Sequence, residues 1–275
     1  SDVYKRQAKY FQIAGIGNIV SGNFSGFQTG GIFNINHQST NGMQVGGIYN
    51  RTRKLKGWQI SGLINNADTV KGSQLAGFIN DADLVQGVQI AGFINNARKV
   101  QGVQLAVFNF SDTCSGAPIG FFSFVNKGYH KIGLEVDELS FGTLSFGTGS
   151  DYFHNIFLGG INLFHRDIWS YGYGIGTGYE FSKKWNLAVD GTSRQLQSAD
   201  YSQIRLNLLN RFFLGVEFSP HSKIRVGIGP SYNVMVADVT GDNTSLCQKF
   251  FLQLSCITRP TVTSMSKCGS VAHFQ

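Results

Sequence analysis

The sequence predicts an all-β protein, and three observations carry that reading. Glycine and aromatic residues are abundant while charge is scarce: 35 Gly against 4 Pro, 23 Phe and 10 Tyr, with only 14% charged residues in 275, where an average soluble protein has about a quarter. Such a composition disfavours helices and favours short strands. Apolar residues alternate with period two over long stretches, which is the period of a strand. A unit of 15 residues recurs through the first half of the chain. No uninterrupted apolar run reaches the 18 residues that a membrane-spanning helix needs, so a helical membrane protein is excluded. The glycines do not recur every third residue, which excludes collagen.

The repeat occupies residues 8–128. Its core units read Met43-Gln44-Val-Gly-Gly47-Ile-Tyr-Asn50, Trp58-Gln59-Ile-Ser-Gly62-Leu-Ile-Asn65, Ser73-Gln74-Leu-Ala-Gly77-Phe-Ile-Asn80 and Val88-Gln89-Ile-Ala-Gly92-Phe-Ile-Asn95. The recurring Gln, Gly and Asn are read as structural positions. Strict alternation puts Val88, Ile90, Gly92 and Ile94 on one face and Gln89, Ala91, Phe93 and Asn95 on the other. Forward of these units the pattern reaches Val103-Gln-Leu-Ala, with Val107 where a glycine is expected.

Two architectures fit. An antiparallel meander takes about 11 residues per strand and four per turn, as at Asn96-Ala97-Arg98-Lys99. Eleven residues span ~36 Å, or ~27 Å when tilted by ~40°, which matches a bilayer core. It places Val70 opposite Asn95. A parallel β-solenoid instead stacks Gln on Gln and Asn on Asn, at the cost of a narrow coil and an apolar exterior. The expectation is the meander, as part of an outer-membrane-type β-barrel, with the solenoid followed by barrel-like strands as the alternative.

Residues 129–243 read as longer antiparallel strands: 131–147, 154–164, a hairpin over 170–196 turning at Ser182-Lys183-Lys184, and another over 204–237 turning at Ser219-Pro220-His221-Ser222. In Tyr171-Gly-Tyr-Gly-Ile-Gly-Thr-Gly-Tyr179 the glycines share one face and the tyrosines the other. Alternating glycine and aromatics between polar turns is the habit of outer-membrane barrels.

Both ends break the pattern. Residues 1–7 (Ser-Asp-Val-Tyr-Lys-Arg-Gln) resemble a translated adaptor of a metagenomic fragment and are set aside. Residues 244–275 contain one glycine, no Asp or Glu, and Cys247, Cys256 and Cys268; they read as a frameshifted or disordered tail. The ends contribute four of the seven net positive charges. The one basic cluster outside them, Arg51-Thr-Arg-Lys-Leu-Lys56, reads as a charged turn, so no nucleic-acid partner is expected. Cys114 is the only cysteine outside the tail, and no disulfide framework follows.

The units Gln-Leu-Ala-Gly-Phe-Ile-Asn, followed by Val-Gln-Gly, resemble the surface-repeat family named after a leptospiral surface protein and frequent in Bacteroidetes. Val125-Asn-Lys-Gly-Tyr-His-Lys131, Phe153-His-Asn-Ile-Phe157, Tyr171-Gly-Tyr-Gly-Ile-Gly-Thr177 and Leu206-Asn-Leu-Leu-Asn-Arg211 are similar to the continuation of its Bacteroidetes-type members. The resemblance covers residues 11–240. It implies an exported protein of the outer membrane or cell surface of a Gram-negative bacterium, whose signal peptide is missing from this fragment.

No catalytic constellation emerges. The six histidines (37, 130, 154, 165, 221, 273) lack paired metal spacing. Gly174-Ile-Gly-Thr-Gly178 lacks the strand–turn–helix setting of a dinucleotide loop. Asp137 and Glu138 point to opposite faces of a strand. Arg194, Arg205, Arg211 and Arg225 are candidates to line a lumen beside Glu180, Asp190 and Glu217, in a structural role. The expectation is a non-enzymatic outer-membrane β-barrel, structural or passively permeable, with membrane lipid as its partner and no cofactor. The alternative is a cell-surface adhesive or binding repeat module, whose ligand would be read by the varying turn residues.

Overall fold

A computed structural model describes residues 8–136, 141–164, 168–182, 184–198, 207–221, 224–237 and 264–274. They form two compact units, meeting in sequence at Tyr129–His130.

The first unit is built from β1 (Ala8–Ala14), β2 (Gly17–Val20), β3 (Phe24–Gly30), β4 (Phe33–Gly46), β5 (Tyr49–Ser61), β6 (Ile64–Ala76), β7 (Ile79–Val85), β8 (Val88–Ala91), β9 (Ile94–Val100), β10 (Val103–Leu105), β11 (Phe108–Cys114), β12 (Ala117–Ile119) and β13 (Phe122–Val125). Every pairing among them is parallel, and each strand lies over its equivalent one repeat earlier. Gln74 pairs with Gln89, Asn80 with Asn95 and Val70 with Val85. The repeats are therefore a stacked β-solenoid, and the expected antiparallel meander, with Val70 opposite Asn95, does not form. The segment Asn96–Lys99, expected as a turn, is strand within β9.

The physical reason lies in the corners. Along one coil the inward residues are Gln89, Ala91, Asn95, Ala97 and Val100. Alternation slips at Gly92-Phe93, at Arg98-Lys99 and at Gln101-Gly102, where consecutive residues all face outward. Phe93 consequently leaves the face of Gln89 that strict alternation assigns it. The slips allow a 15-residue coil to close, and glycine makes two of them sterically feasible. A Cβ on Gly77 would stand 2.0 Å from the Gly62 carbonyl oxygen of the coil beneath. At the other corner Gly72 has φ +150°, a conformation that side chains resist.

The last full coil is one residue shorter. Val103 sits over Val88, whereas Phe108 sits over Ile94. The corner glycine is thus deleted, and Val107 takes the place of Phe93 rather than of Gly92. Cys114 falls over Val100, at the end of the buried column Leu55–Val70–Val85–Val100. Burial there pushes its thiol pKa up and keeps it protonated.

The second unit contains β14 (Tyr129–Val136), β15 (Phe141–Gly149), β16 (His154–Asn162), β17 (Ile168–Ser182), β18 (Trp185–Ser198), β19 (Asn207–His221), β20 (Ile224–Ala237) and β21 (Ser264–Phe274). Successive strands from β15 to β20 pair antiparallel. The expected hairpin at Ser182–Lys184 is present, with Ser182 pairing with Trp185; at the second hairpin Ser219, Pro220 and His221, expected as a turn, are strand within β19, and His221 pairs with Ile224. β21 pairs with both β20 and β14, so the strand order returns to its first member. That strand falls inside the segment set aside as a tail. Residues 1–7 and 244–263 lie outside the described residues.

Register gives a direct check. With native cysteines replaced by Ser, Asp81→Cys and Asn96→Cys, which are outward register partners, should form a disulfide, because stacked strands lie about 4.8 Å apart. Thr69→Cys with Asn96→Cys, partners in a meander, should not. Non-reducing electrophoresis reads both, and the reverse result would rule out the solenoid.

Candidate functional surface

The solenoid interior is polar where most cores are apolar. Gln28, Gln44, Gln59, Gln74, Gln89 and Gln104 are fully buried, as are Asn34, Asn50, Asn65, Asn80 and Asn95. Each Gln donates from Nε2 to Oε1 of the Gln one coil earlier, from Gln28 to Gln12 at 2.8 Å through to Gln104 to Gln89 at 2.8 Å. Each Asn donates in the opposite sense, to the next coil: Asn65 to Asn80 and Asn80 to Asn95, both at 3.0 Å. The second Asn proton goes to a backbone carbonyl, as from Asn80 to Ile90 at 2.7 Å. Two antiparallel amide ladders thus hold the stack together. Gln44, Gln59, Gln74, Gln89, Asn50, Asn65, Asn80 and Asn95 form the rungs, while Gly47, Gly62, Gly77 and Gly92 pack at one corner. The Gln ladder stops where Pro118 lies over Gln104, whose Oε1 is buried without a hydrogen-bond partner among the described residues.

Placing amides inside leaves the large apolar residues outside. Four outward columns run the length of the stack. One holds Phe27, Met43, Trp58, Ser73 and Val88, and the next Val45, Ile60, Leu75, Ile90 and Leu105. At the glycine corner lie Ile16, Ile32, Ile48, Leu63, Phe78, Phe93, Val107 and Phe121, all well exposed. The fourth column is Phe33, Tyr49, Ile64, Ile79, Ile94, Phe108 and Phe122. Phe78 and Phe93 stack with ring centroids 5.1 Å apart, and Phe108 meets Phe93 edge-on at 5.2 Å. From Phe11 to Phe122 these columns contain no Asp, Glu, Lys or Arg. Eight coils at about 4.8 Å make this side about 34 Å long. Monomeric soluble proteins normally leave no more than a few hundred Å² of contiguous apolar surface open.

The remaining outward positions are mostly polar, and the charges of the stack lie among them. Arg53 pairs with Asp68 at 3.5 Å, and Arg98 donates from Nε to Asp83 at 2.7 Å, a hydrogen bond that raises the guanidinium pKa. Asn66 and Asn96 both donate to Asp81, at 2.7 and 2.6 Å. Lys54, Lys56, Lys71 and Lys99 are exposed and have no carboxylate partner among the described residues. The basic segment Arg51–Lys56, expected as a turn, is strand within β5.

The second unit is inverted in the same way. Trp169, Tyr171, Ile175, Tyr179 and Phe181 of β17 face outward and are exposed. The inward face of the unit holds His154, Arg194, Arg211, Glu135 and Glu217. Arg211 contacts Glu135 at 3.2 Å; Glu217 receives Lys131 and Arg225, both at 3.2 Å, and Asn186 at 3.0 Å. His154 stands 3.4 Å from Asp190. The glycines of β17 make room for these groups: a Cβ on Gly176 would lie 2.0 Å from Asp190 Oδ1 and 2.4 Å from His154 Nε2. Of the lumen candidates, Arg194, Arg211, Arg225, Asp190 and Glu217 come together. Glu180 is exposed, and Arg205, Asp137 and Glu138 lie outside the described residues. Glu135 and Lys131 were not legible as lumen residues, because only the strand register brings them to Arg211 and Glu217.

Among the described residues no group of three or more His, Cys, Asp or Glu is placed to hold a metal. A groove of about 470 Å³ on β17–β20, lined by Tyr173, Ile175, Ser193, Asn210, Phe212 and Tyr232 among others, includes no Asp, Glu, His or Cys in its lining. No family model, curated protein or solved structure matches the chain.

The amide ladders are directly testable. Asn80→Ala removes two donors and one acceptor, leaving Asn95 Oδ1 and the donor of Asn65 unmatched. It should destabilise the solenoid by about 2 kcal/mol or more, read as a lower urea midpoint in Trp58 fluorescence. Asp81→Ala, on the outward side of the same strand, should cost less than about 0.5 kcal/mol.

Proposed function

We propose that this chain is a non-enzymatic, membrane-anchored surface binding module. The solenoid presents its charge-free side to a partner, and the antiparallel unit is an outer-membrane-type barrel that carries it. One observation bears most of the weight: the four outward columns expose aliphatic and aromatic side chains through eight coils without a charge. Exposing Phe78 at 45%, Phe93 at 39% and Trp58 at 50% in water has no compensation within the solenoid itself. A covering partner removes that cost.

The anchor reading rests on the second unit's inversion. Apolar outward residues run from Tyr171 to Phe181 along β17, ten strand steps, which cover ~25 Å of height at a tilt of ~40°. That is the height of the apolar band of a membrane barrel. Inside, polar and ionic groups share the space with Ile156, Leu158, Leu196, Leu209 and Phe213. An eight-strand closure has an interior just wide enough for side chains, and Arg194, Arg211 and Glu217 occupy it. This favours an anchor over a permeable pore. The resemblance to a surface-repeat family points to the same address.

Hydroxyl-radical footprinting of membranes carrying the protein tests the binding surface without naming its occupant. Phe78 and Phe93 should be protected from oxidation relative to the exposed His37, and the protein should stay in the pellet after carbonate extraction. Oxidation of both phenylalanines as in peptides would overturn the binding surface. Recovery in the carbonate supernatant would overturn the anchor.

A further inference from the structure

Building on the binding surface proposed above, we infer that the partner of the solenoid's charge-free side is a lipid surface, with the basic flank directed at anionic headgroups. Three features of the fold favour lipid over a protein partner. The first is chemical uniformity. The outward columns from Phe11 to Phe122 carry aliphatic and aromatic groups with a few hydroxyls and no ionised side chain. Protein interfaces, by contrast, surround a smaller apolar centre with a polar rim and carry about one hydrogen bond per 100–200 Å². The columns offer almost no side-chain hydrogen-bonding groups with which to specify a partner surface.

The second feature is the placement of charge. Between residues 8 and 129 there are nine Lys and Arg against four Asp and no Glu. The four Asp are not spread evenly: Asp68 and Asp83 are engaged by Arg53 and Arg98. The lysines left over include Lys56 and Lys71, which stack on each other beside the Gly57 and Gly72 corner, next to Trp58 and Ser73. An apolar face bordered by Lys, with Trp at the border, is the arrangement of an interfacial amphipathic element. There the apolar side sinks ~5–10 Å into the headgroup–acyl boundary, and Lys reaches back to phosphate.

The third feature is that both units bury amides or ion pairs inside and expose large apolar groups outside. In the solenoid the ladders satisfy the Gln and Asn rungs of successive coils without water, so the stack keeps these hydrogen bonds when its outer side loses water. The same physics that suits the second unit to lipid therefore applies to the first.

Trp58 reads this contact directly, because the chain has only three tryptophans and the other two, Trp169 and Trp185, lie in the second unit. The full-length chain with Trp169→Phe and Trp185→Phe is reconstituted into vesicles of phosphatidylglycerol and brominated phosphatidylcholine. Bromine near the glycerol end of the acyl chains should quench Trp58 roughly twofold, given the shallow depth of interfacial insertion. Aqueous acrylamide should quench it little, and Lys56→Glu with Lys71→Glu should weaken the bromine effect. Shielding from acrylamide without bromine quenching, together with the mass of a dimer, would overturn the lipid partner and assign the side to a second copy, leaving the binding surface standing. Full acrylamide access without bromine quenching would overturn both. If the double tryptophan variant does not fold, a nitroxide at Ser73→Cys, with native cysteines replaced by Ser, reports the same contact. Higher access to oxygen than to a nickel chelate supports lipid, and the reverse overturns it.

Discussion

A buried amide must find a partner, and in the solenoid it finds one in the same residue of the neighbouring coil. Everything else in the first unit follows from that. The Gln and Asn ladders have one acceptor and one donor per rung, so coils must repeat in register and run parallel. A register slip of one residue would turn every amide outward and orphan its neighbours. Opposed donor directions in the two ladders offset each other's dipoles along the stack. The glycine corners are a consequence: an amide core this thin demands coils so tight that one coil's backbone touches the next, as Gly77 touches Gly62.

Inversion is the second consequence. With Gln, Asn and small residues inside, the bulk of Val, Ile, Leu and Phe has nowhere to go but out. Ordinary hydrophobic burial therefore contributes little within the solenoid; its apolar core is the modest column of Leu55, Val70, Val85 and Val100 with Ala67, Ala82 and Ala97 beside it. Stability shifts onto hydrogen bonds, and each contributes modestly but costs much if left unmade. Free energy from the apolar exterior is realised only when something covers it. The module is in this sense energetically incomplete by itself, which is what a binding element requires.

Much of this was legible in the residues. The strands, the 15-residue period, the Gln–Gly–Asn positions and the second unit's hairpins can all be read from pattern. The choice between meander and solenoid could not be read from alternation, because alternation assumes a straight strand. At the corner Gly92, Phe93 and Ile94 all face outward before Asn95 returns inward, so Phe93 parts from Gln89 and the apolar face wraps round two sides. Bilayer-matched strand length then argued persuasively for the wrong pairing. The decisive signal was the amide itself: a membrane strand presenting Gln and Asn on one face at every repeat has no local partner for them, whereas stacking supplies one. Likewise Val107 looked like a replaced glycine, and only the register shows a deletion with the coil shortened around it. In the second unit the alternation of tyrosine and glycine was plain. The reason for the glycines, space for His154, Asp190 and Arg194, depends on strand neighbours that no local pattern reveals.

How the ladder ends shows how such a stack is limited. In a parallel strand a residue's N–H and C=O point to the same neighbour. Ala117 and Ile119 bond back to the preceding coil, through Ala117 N to Gly102 O and Ala106 N to Ile119 O. Residue 118 therefore faces forward, and proline there withholds the donor that a further coil would need. Its carbonyl is taken by the Ser123 hydroxyl at 2.6 Å, and the same Ser123, standing in the Asn column, receives Asn109 at 3.4 Å. Both amide ladders are thus closed at one coil by two substitutions, Pro for Gln and Ser for Asn. The cost includes the orphaned oxygen Gln104 Oε1. β12 and β13 are in this respect a cap, which ends the repeat before the chain changes to antiparallel pairing and keeps the open edge from recruiting another strand.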